Sequence, residues 1–350
     1  MTETPTTTPQ PAAMMQLAPG THLALQMTSE PSAADLQFAQ QLGVEHVVLW
    51  TDGAHAGYDF YASRRALFEA AGLKIYGFGN WDVHNQDAIV LNLPGRDEKI
   101  EQYKQHLRAL GRAGIPYTTY AHMANGIWST AQEQTRGGAP ARAFDLDKAE
   151  SGWWFNRSYS MPLSHGREYS RDELWENFAY FIRQVAPVAE EAGVKIGIHP
   201  DDPPGVDLAG VPRCIFGNFE GYRRAMEIAD SPNVGVCFCV GCWLEGGSLM
   251  GKGTLESLRY FGERGKLFKV HFRNVDKPLP HFVETFVDDG YMDMYKVMRE
   301  LVAVGFNGVA IADHIPMMGG DPRIGTAYTV AYMKALLRRA NEEAAAAVPA

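Results

Sequence analysis

Cysteine is scarce in this chain of 350 residues. Only four are present, and three of them fall in the stretch VGVCFCVGCW at residues 234 to 243. So few and so clustered cysteines argue against a disulfide scaffold. We therefore expect free thiols in a reducing compartment, the cytoplasm, where thiolates are available to bind a metal.

Long apolar runs and basic clusters are also missing. No uninterrupted apolar run approaches the ~20 residues that cross a bilayer, so we expect no membrane span. Acidic side chains outnumber basic ones by 41 to 32, the net charge is −9, and no run of Lys or Arg stands out. Binding to the phosphate backbone of a nucleic acid therefore has no electrostatic support.

The first 20 residues, MTETPTTTPQPAAMMQLAPG, lack the basic start and the long apolar core of a signal peptide. Their richness in Thr and Pro leaves little surface to bury. We expect a disordered tail over residues 1 to 20.

No GxGxxG follows an early strand, which argues against a doubly wound dinucleotide-binding sheet. Instead, short β-rich runs alternate with helical patterns such as those over residues 97 to 111, 170 to 192 and 325 to 346. The predicted strands are HLALQM (22 to 27), EHVVLW (45 to 50), LKIYGFG (73 to 79), IPYTTYAHM (115 to 123), VKIGIHP (194 to 200), VGVCFC (234 to 239), LFKVHFRNV (267 to 275) and GVAIADH (308 to 314). Eight strands that each lead to a helix predict a (β/α)8 TIM barrel, formed as a single domain over residues 21 to 346.

Two connections are too long for a plain barrel. One follows strand four over residues 124 to 169, and the other, PLPHFVETFVDDGYMD, follows strand seven. Both leave the carboxyl ends of their strands, the face on which such barrels carry their active sites. Loops of this length are usually functional covers.

Four successive strands end in side chains that bind metals. These are His199, Cys239, His271 and Asp313. A single strand histidine or cysteine is more often a core residue, but the common position of these four at strand ends predicts a mononuclear divalent-metal site with open positions.

The other cysteines do not complete a zinc knuckle. Cys237 shares a strand face with Cys239, Cys242 lies in the following loop, and no second pair of ligands is near in sequence. We expect Cys237 and Cys214 to be structural, and the sequence leaves the role of Cys242 open.

Polar and aromatic side chains near the same strand ends are candidates for binding a substrate. Arg273 follows His271 on the same strand face and suits bidentate capture of a carboxylate, although a salt bridge inside the barrel explains it equally well. The others are Trp81 and His84 after strand three, His122 and Asn125 after strand four, and Asn274 beside Arg273. Aromatic walls with polar groups between them suit polyhydroxylated ligands, and tryptophans also fill cores.

Five motifs together resemble the mannonate dehydratases, a family of xylose-isomerase-like barrels. They are IGIHPDDPP, VCFCVGC, KVHFRNV, FVETFVDDGYMDM and the late DH. The resemblance runs over roughly residues 20 to 340. It implies a Mn²⁺ or Fe²⁺ site formed by His199, Cys239, His271 and Asp313. Another divalent metal at this site is the alternative. The resemblance also implies loss of water from D-mannonate to give 2-keto-3-deoxy-D-gluconate.

That chemistry assigns roles to several side chains. Arg273 and the metal would hold the carboxylate while charge develops on it. His314, next to the metal ligand Asp313, is our candidate for one proton transfer, and Tyr291 or Asp289 for the other.

The segment after Asp313 departs from the family pattern. It reads DHIPMMGGDPRIGTAYTVAYM, and the arginine that the family carries is out of register, with Arg323 and Tyr328 close by. We take Arg323 as a further candidate for binding substrate.

Three hypotheses follow. The first is a metal-dependent hydro-lyase acting on a sugar acid. The second is a related isomerase, epimerase or lyase that acts on another oxidised sugar or glycoside, which the altered segment favours. The third is a non-catalytic carbohydrate-binding barrel. We also expect a homo-oligomer, because barrels often pair through their helices.

Overall fold

The computed structural model describes residues 12 to 347 and contains a closed barrel of eight parallel strands. The strands are β1 (Thr21–Thr28), β2 (His46–Thr51), β3 (Lys74–Asn80), β4 (Tyr117–Ala121), β5 (Lys195–His199), β6 (Val234–Cys239), β7 (Leu267–His271) and β8 (Gly308–Ile311). Each strand pairs with the strands before and after it in sequence, and β8 closes on β1. The predicted TIM barrel is therefore confirmed.

Helices connect the strands and pack outside the barrel. They are α1 (Ala33–Leu42), α2 (Tyr58–Ala70), α3 (Trp81–His84), α4 (Asp87–Val90), α5 (Arg96–Arg112), α6 (Arg171–Ala192), α7 (Phe219–Ala229), α8 (Val240–Gly246), α9 (Thr254–Gly262), α10 (Met294–Ala303) and α11 (Pro322–Ala346). Local sequence fixes their ends. In α6, Ser170 and Glu173 form a reciprocal capping box, and Gly193 ends the helix in the left-handed region at φ 66°.

The lower half of the barrel interior is apolar. Tyr76 and Tyr117 stack there with ring centroids 5.1 Å apart. Glycine is required beside them, because a Cβ on Gly197 would lie 2.4 Å from the Tyr117 hydroxyl. This packed layer closes the barrel from below, so polar side chains collect at the carboxyl ends of the strands.

The segment before β1 lies against this lower end. The Ala12 amide donates to the Arg112 carbonyl at 2.9 Å, and the Met15 amide donates to the Gly114 carbonyl at 2.9 Å. Met15 and Leu17 pack against the interior apolar cluster. The prediction of a disordered tail took no account of these apolar side chains, which have a packing surface at the lower end of the barrel. Residues 1 to 11 lie outside the described residues.

Two long loops cover the upper end of the barrel, as predicted. The loop after β4 contains the short strands Ile127–Trp128, Glu133–Thr135, Ala139–Ala141, Ala143–Asp145, Ser151–Trp154 and Arg157–Ser160, and the loop after β7 contains Asn274–Val275 and His281–Thr285. His281–Thr285 pairs antiparallel with Ala143–Asp145, so the two loops form one structure. We call residues 127 to 160 together with residues 274 to 285 the cap.

Within residues 12 to 347, no helix combines the length and the apolar character that a membrane span requires.

Candidate metal centre and active site

The four predicted metal ligands converge above the apolar layer. Cys239 is paired in register with His271 across β6 and β7, which places both side chains at one level. The Cys239 Sγ atom lies 3.7 Å from Asp313 Oδ2, and His271 Nδ1 lies 3.4 Å from Asp313 Oδ1. The rings of His199 and His271 are 4.9 Å apart. The parallel strands thus bring two imidazoles, a thiol and a carboxylate together.

The orientation of these groups suits a divalent cation. His199 Nδ1 lies 2.7 Å from the Pro200 carbonyl oxygen, and a hydrogen bond there leaves Nε2 for the site. His271 Nδ1 is buried and has no hydrogen-bond partner among the described residues, although it faces Asp313. A buried nitrogen left without a partner, beside a carboxylate and a thiol, fits a metal ligand.

Cys239 lies in surroundings that favour its thiolate. Its Sγ accepts from the Cys242 amide at 3.4 Å and from Arg273 Nη2 at 3.3 Å. Although burial opposes the charge, Cys242 and Arg273 hold the pKa of the Cys239 thiol well below its ordinary value. Burial and the neighbouring Cys239 instead raise the pKa of the Cys242 thiol well above its ordinary value. Cys242 therefore supports Cys239 as a neutral hydrogen-bond donor.

Arg273 lies at the centre of a buried charge network. Its Nη1 donates to Glu284 Oε1 at 2.6 Å and also to Glu245, and its Nε donates to Asp313 Oδ2 at 3.1 Å. The side chain is fully buried and does not line the cavity described below. The alternative of a salt bridge inside the barrel is thus what the structure shows, and Arg273 orients Asp313, one of the predicted metal ligands.

Arg142, from the cap, extends the same network. Its Nη1 donates to Glu284 Oε1 at 3.0 Å, its Nη2 donates to Asp202, and its Nε donates to Ser129 Oγ at 2.8 Å. Glu245, which shares the network, is wholly buried, and burial raises the pKa of its carboxyl to about 7. The cap is therefore tied to the metal centre by charge as well as by strand pairing.

A cavity of 410 Å³ opens above the metal centre. Six of the residues predicted from the sequence line it: Trp81, His84, His199, His271, Asp313 and His314. Ile315 and Met317, from the segment that departs from the family pattern, line it too. The cavity has the size and the mixed lining of a small-molecule site.

Of the predicted proton-transfer residues, His314 lines the cavity. Its Nδ1 lies 2.8 Å from Glu284 Oε1, and its Nε2 lies 4.0 Å from Asp313 Oδ1. Against the effect of burial, Asp313 and Glu284 raise the pKa of the imidazole to about 9. Conversely, His314 and Arg273 lower the pKa of Glu284 to about 2, although burial opposes this. The two side chains form a carboxylate–imidazole pair that fixes the ring.

Comparison with known proteins agrees with this geometry. The family model for D-mannonate dehydratase (UxuA) matches residues 32 to 342. The chain belongs to the D-mannonate dehydratase family.

Individual relatives support the same family assignment. Mannonate dehydratase 2 of Halalkalibacterium halodurans is 31% identical over 252 residues, which are 67% of this chain and 72% of the relative. The mannonate dehydratase of Streptococcus pneumoniae (strain 70585) is 34% identical over 278 residues, 73% of this chain and 74% of the relative. The chain is therefore a member of an enzyme family of hydro-lyases.

Solved structures give the same fold. The crystal structure of mannonate dehydratase from Streptococcus suis serotype 2 has a TM-score of 0.79 and 26% identity, covering 93% of this chain and 96% of that one. A structure of L-ribulose 3-epimerase has a TM-score of 0.61 at 12% identity, with 94% of this chain and 98% of that one covered, and shares the fold alone.

In this D-mannonate dehydratase family member, the other two predicted proton-transfer residues do not reach the cavity. The Tyr291 hydroxyl donates to the Leu244 carbonyl at 2.6 Å, and Tyr291 does not line the cavity. Asp289 lies 3.7 Å from Arg136 at the surface of the loop after β7. Neither is placed for the role that the sequence suggested.

Two predicted substrate-binding residues lie elsewhere. Arg323 forms an exposed ion pair with Asp35 at 2.6 Å between α11 and α1. His122 is buried in the core, where its Nδ1 contacts the Tyr120 hydroxyl at 2.9 Å. For His122, a position just after a strand was not sufficient, and for Arg323 the likeness to the family pattern was not sufficient.

The two predicted asparagines support loops. Asn125 Nδ2 donates to the Leu208 carbonyl at 2.8 Å, and its Oδ1 accepts from Arg213. Asn274 Nδ2 donates to the Met292 carbonyl at 2.8 Å. Both side chains satisfy buried backbone or guanidinium groups, and neither lines the cavity.

Sequence reasoning missed several residues at the site. Lys269 lines the cavity and is fully buried, and its Nζ has no hydrogen-bond partner among the described residues. It lies two residues before His271, so strand alternation was a usable sign. Trp50, at the end of β2, and Trp154 also line the cavity. No local sequence pattern indicated Arg142, because only the pairing of the two loops brings this side chain to the site.

Proposed function

We propose that this protein removes water from D-mannonate to give 2-keto-3-deoxy-D-gluconate, using Mn²⁺ or Fe²⁺ held by His199, Cys239, His271 and Asp313. The observation that carries the proposal is that Cys239 groups with His199 and also with His271 and Asp313, beneath a cavity that both histidines, Asp313 and His314 line. A thiolate among harder ligands suits Fe²⁺ on softness, and the resemblance noted above also supports Mn²⁺.

The reaction removes the proton at C2 and releases the hydroxyl at C3 as water, after which the enol becomes the ketone. A bound divalent metal supplies positive charge beside the substrate carboxylate, where negative charge develops. The protein must hold the carboxylate, carry the protons and keep the cavity closed by the cap.

His314 transfers one of these protons in our proposal. Glu284 holds the Nδ1 side of the ring at 2.8 Å, and the imidazole itself lines the cavity. Its placement beside the metal centre therefore suits general acid–base catalysis at the carbons next to the carboxylate.

Lys269 replaces Arg273 as the cation of the substrate site. The Arg273 guanidinium is engaged by Glu245, Glu284 and Asp313, whereas the Lys269 side chain lines the cavity without an ion pair in the described residues. A buried ammonium without a partner is costly, and a sugar-acid carboxylate would compensate it.

The direct test is an assay of EDTA-stripped protein with D-mannonate and either Mn²⁺ or Fe²⁺, following 2-keto-3-deoxy-D-gluconate. Cys239→Ala should lose both bound metal and product. His314→Gln should keep bound metal and lose about 100-fold or more in kcat. Cys214→Ala, which removes a buried thiol outside the cavity, is the matched control and should keep both.

One observation favours a second candidate. Ile315 and Met317 line the cavity and belong to the segment that departs from the family pattern. Stoichiometric metal binding without any product would therefore reject D-mannonate and point to an isomerase, epimerase or lyase acting on another oxidised sugar or glycoside.

The cytoplasm suits the proposed site, because a reducing compartment keeps the Cys239 thiolate free for metal. The homo-oligomer expected from the sequence stays a prediction, and light scattering of the purified protein would test it.

A further inference from the structure

An aromatic wall forms one side of the cavity and continues out to its mouth. Trp50 and Trp81 stack with ring centroids 4.2 Å apart. Trp154 stacks on His84 at 4.8 Å, and all four of these side chains line the cavity. Trp153 also lines it and is 48% exposed. A half-exposed indole at the mouth of the cavity is open to contact with a ligand.

Phe155 extends this wall at an energetic cost to the backbone. Its ring lies parallel to that of Trp81, with centroids 6.0 Å apart and planes 7° apart, and the residue is 45% exposed. Its φ is +53°, in the left-handed region that bulky residues rarely adopt. The turn between the strands Ser151–Trp154 and Arg157–Ser160 thus holds a strained residue that presents an exposed ring, as ligand-binding turns often do.

The wall also carries polar atoms without partners. His84 is 5% exposed, and its Nδ1 has no hydrogen-bond partner within the described part of the chain. Trp50 Nε1 is likewise buried there without a partner. Buried polar atoms without partners are uncommon, and they show that the hydrogen bonds of this wall are incomplete within the described residues.

An open-chain hexonate makes little apolar contact with such a wall. Hydroxyl groups project from its whole length, so it has no flat apolar face. A pyranose ring has one face of C–H groups, which removes an indole from water and points its positive hydrogens at the negative ring face. At 410 Å³ the cavity is also within the range of about 300–1,000 Å³ that holds drug-sized ligands, which are larger than a single hexonate.

We infer that the aromatic wall, formed by Trp50, Trp81, His84, Trp153, Trp154 and Phe155, is a subsite for a sugar ring linked to the acid, so that the substrate class includes glycosylated hexonates. This inference rests on the proposed function. Dehydration breaks the C2–H and C3–O bonds and releases the C3 oxygen as water. The ring must therefore be attached at O4, O5 or O6, and the product is the 3-deoxy-2-keto acid with its glycosidic bond intact.

The test compares kcat/KM for D-mannonate and for 4-O-β-D-glucopyranosyl-D-mannonate, using metal-loaded enzyme. The wild type should use the glucosylated acid at least as well as D-mannonate. Trp153→Ala and Phe155→Ala should each lower the ratio of the two values about tenfold, as expected for a lost stacking contact. Met161→Ala removes a side chain that is equally exposed on the same loop but does not belong to the aromatic wall, and it should keep the ratio.

The outcomes separate this inference from the proposed function. Turnover of D-mannonate with neither turnover nor binding of the glucosylated acid overturns the subsite and leaves the proposed function standing. If neither acid is turned over, the proposed function fails and calorimetric binding decides: tighter binding of the glucosylated acid that is lost in Trp153→Ala supports the subsite, and equal binding overturns it. A change of oligomeric state in both aromatic variants, measured by light scattering, would assign these rings to an interface between copies and overturn it.

Discussion

At the scale of single residues, Arg273 holds the candidate metal centre together. Its guanidinium joins Glu245 and Glu284 to the predicted metal ligand Asp313, and it contacts the Cys239 thiol. Arg273→Met would leave buried carboxylates without their cation, so we expect the free energy of unfolding to fall by about 3–5 kcal/mol. Urea unfolding followed by circular dichroism measures this.

A second substitution tests whether the network needs the geometry of Arg273 or only its charge, and a third serves as a control. Arg273→Lys restores the charge but not the planar fork, so it should regain part of the stability and little of the metal affinity. Arg136→Ala is the matched control: its ion pair with Asp288, at 2.8 Å, is 43% exposed on the arginine side and should cost less than about 1 kcal/mol. Equal losses in Arg273→Met and Arg136→Ala would contradict the central role of Arg273.

The sequence predicts residues well where one structural rule places them. The four predicted metal ligands lie at or just after the ends of parallel strands, and such ends meet at one face of the barrel, so their approach to one another followed from pattern alone. Arg142 lies in a long loop, and only pairing with a segment more than 130 residues later brings it to Glu284. No local pattern carries that information. The same pairing fixes the position of Glu284 beside Arg273, so the sequence alone left open the choice between a salt bridge and a substrate carboxylate as the partner of Arg273.

At the scale of elements, the cap is a separate layer whose own core closes the site. Phe144 and Phe282 face each other from the two paired loops with ring centroids 5.9 Å apart, and both are fully buried. Phe282→Ala should cost about 3–5 kcal/mol within the cap, and kcat/KM should fall because Glu284, two residues on, positions His314.

Hydrogen exchange measured by mass spectrometry locates the effect of Phe282→Ala. Protection should fall in residues 143 to 145 and 281 to 285 and stay unchanged in β5 to β8. Leu146→Ala, in the same loop but 36% exposed, should change neither protection nor activity. Uniform loss of protection across the barrel would show that cap and barrel unfold as one unit.

The barrel strands were found from the sequence because each is a β-rich run, mostly buried, that a helix follows. The cap strands were not found. They are only two to five residues long, and one pairing, between Ala143–Asp145 and His281–Thr285, joins two different loops. Their existence depends on tertiary pairing, which periodicity does not report.

At the scale of the whole molecule, the interior keeps several histidines neutral. Burial lowers the pKa of His106 to about 3 and that of His122 to about 3. His106 is satisfied as a neutral ring, with Nδ1 at 2.8 Å from the Tyr61 hydroxyl and Nε2 at 3.1 Å from Thr118 Oγ1. The unfolded chain protonates such a ring near pH 6.5, and the folded chain does not. The stabilisation that the neutral His106 ring contributes is therefore complete above about pH 6.5 and is lost as the pH falls toward about 3.

His106→Gln isolates that dependence, because glutamine can bond to the same two hydroxyls and does not titrate. Between pH 7 and pH 5 the free energy of unfolding of the wild type should fall by about 2 kcal/mol more than that of the variant. Urea unfolding at both pH values measures this difference. The opposite contributions of the site histidines cancel in it, because both proteins contain those histidines. Parallel pH dependence of His106→Gln and wild type would mean that the His106 ring takes up a proton in the folded protein as readily as in the unfolded chain.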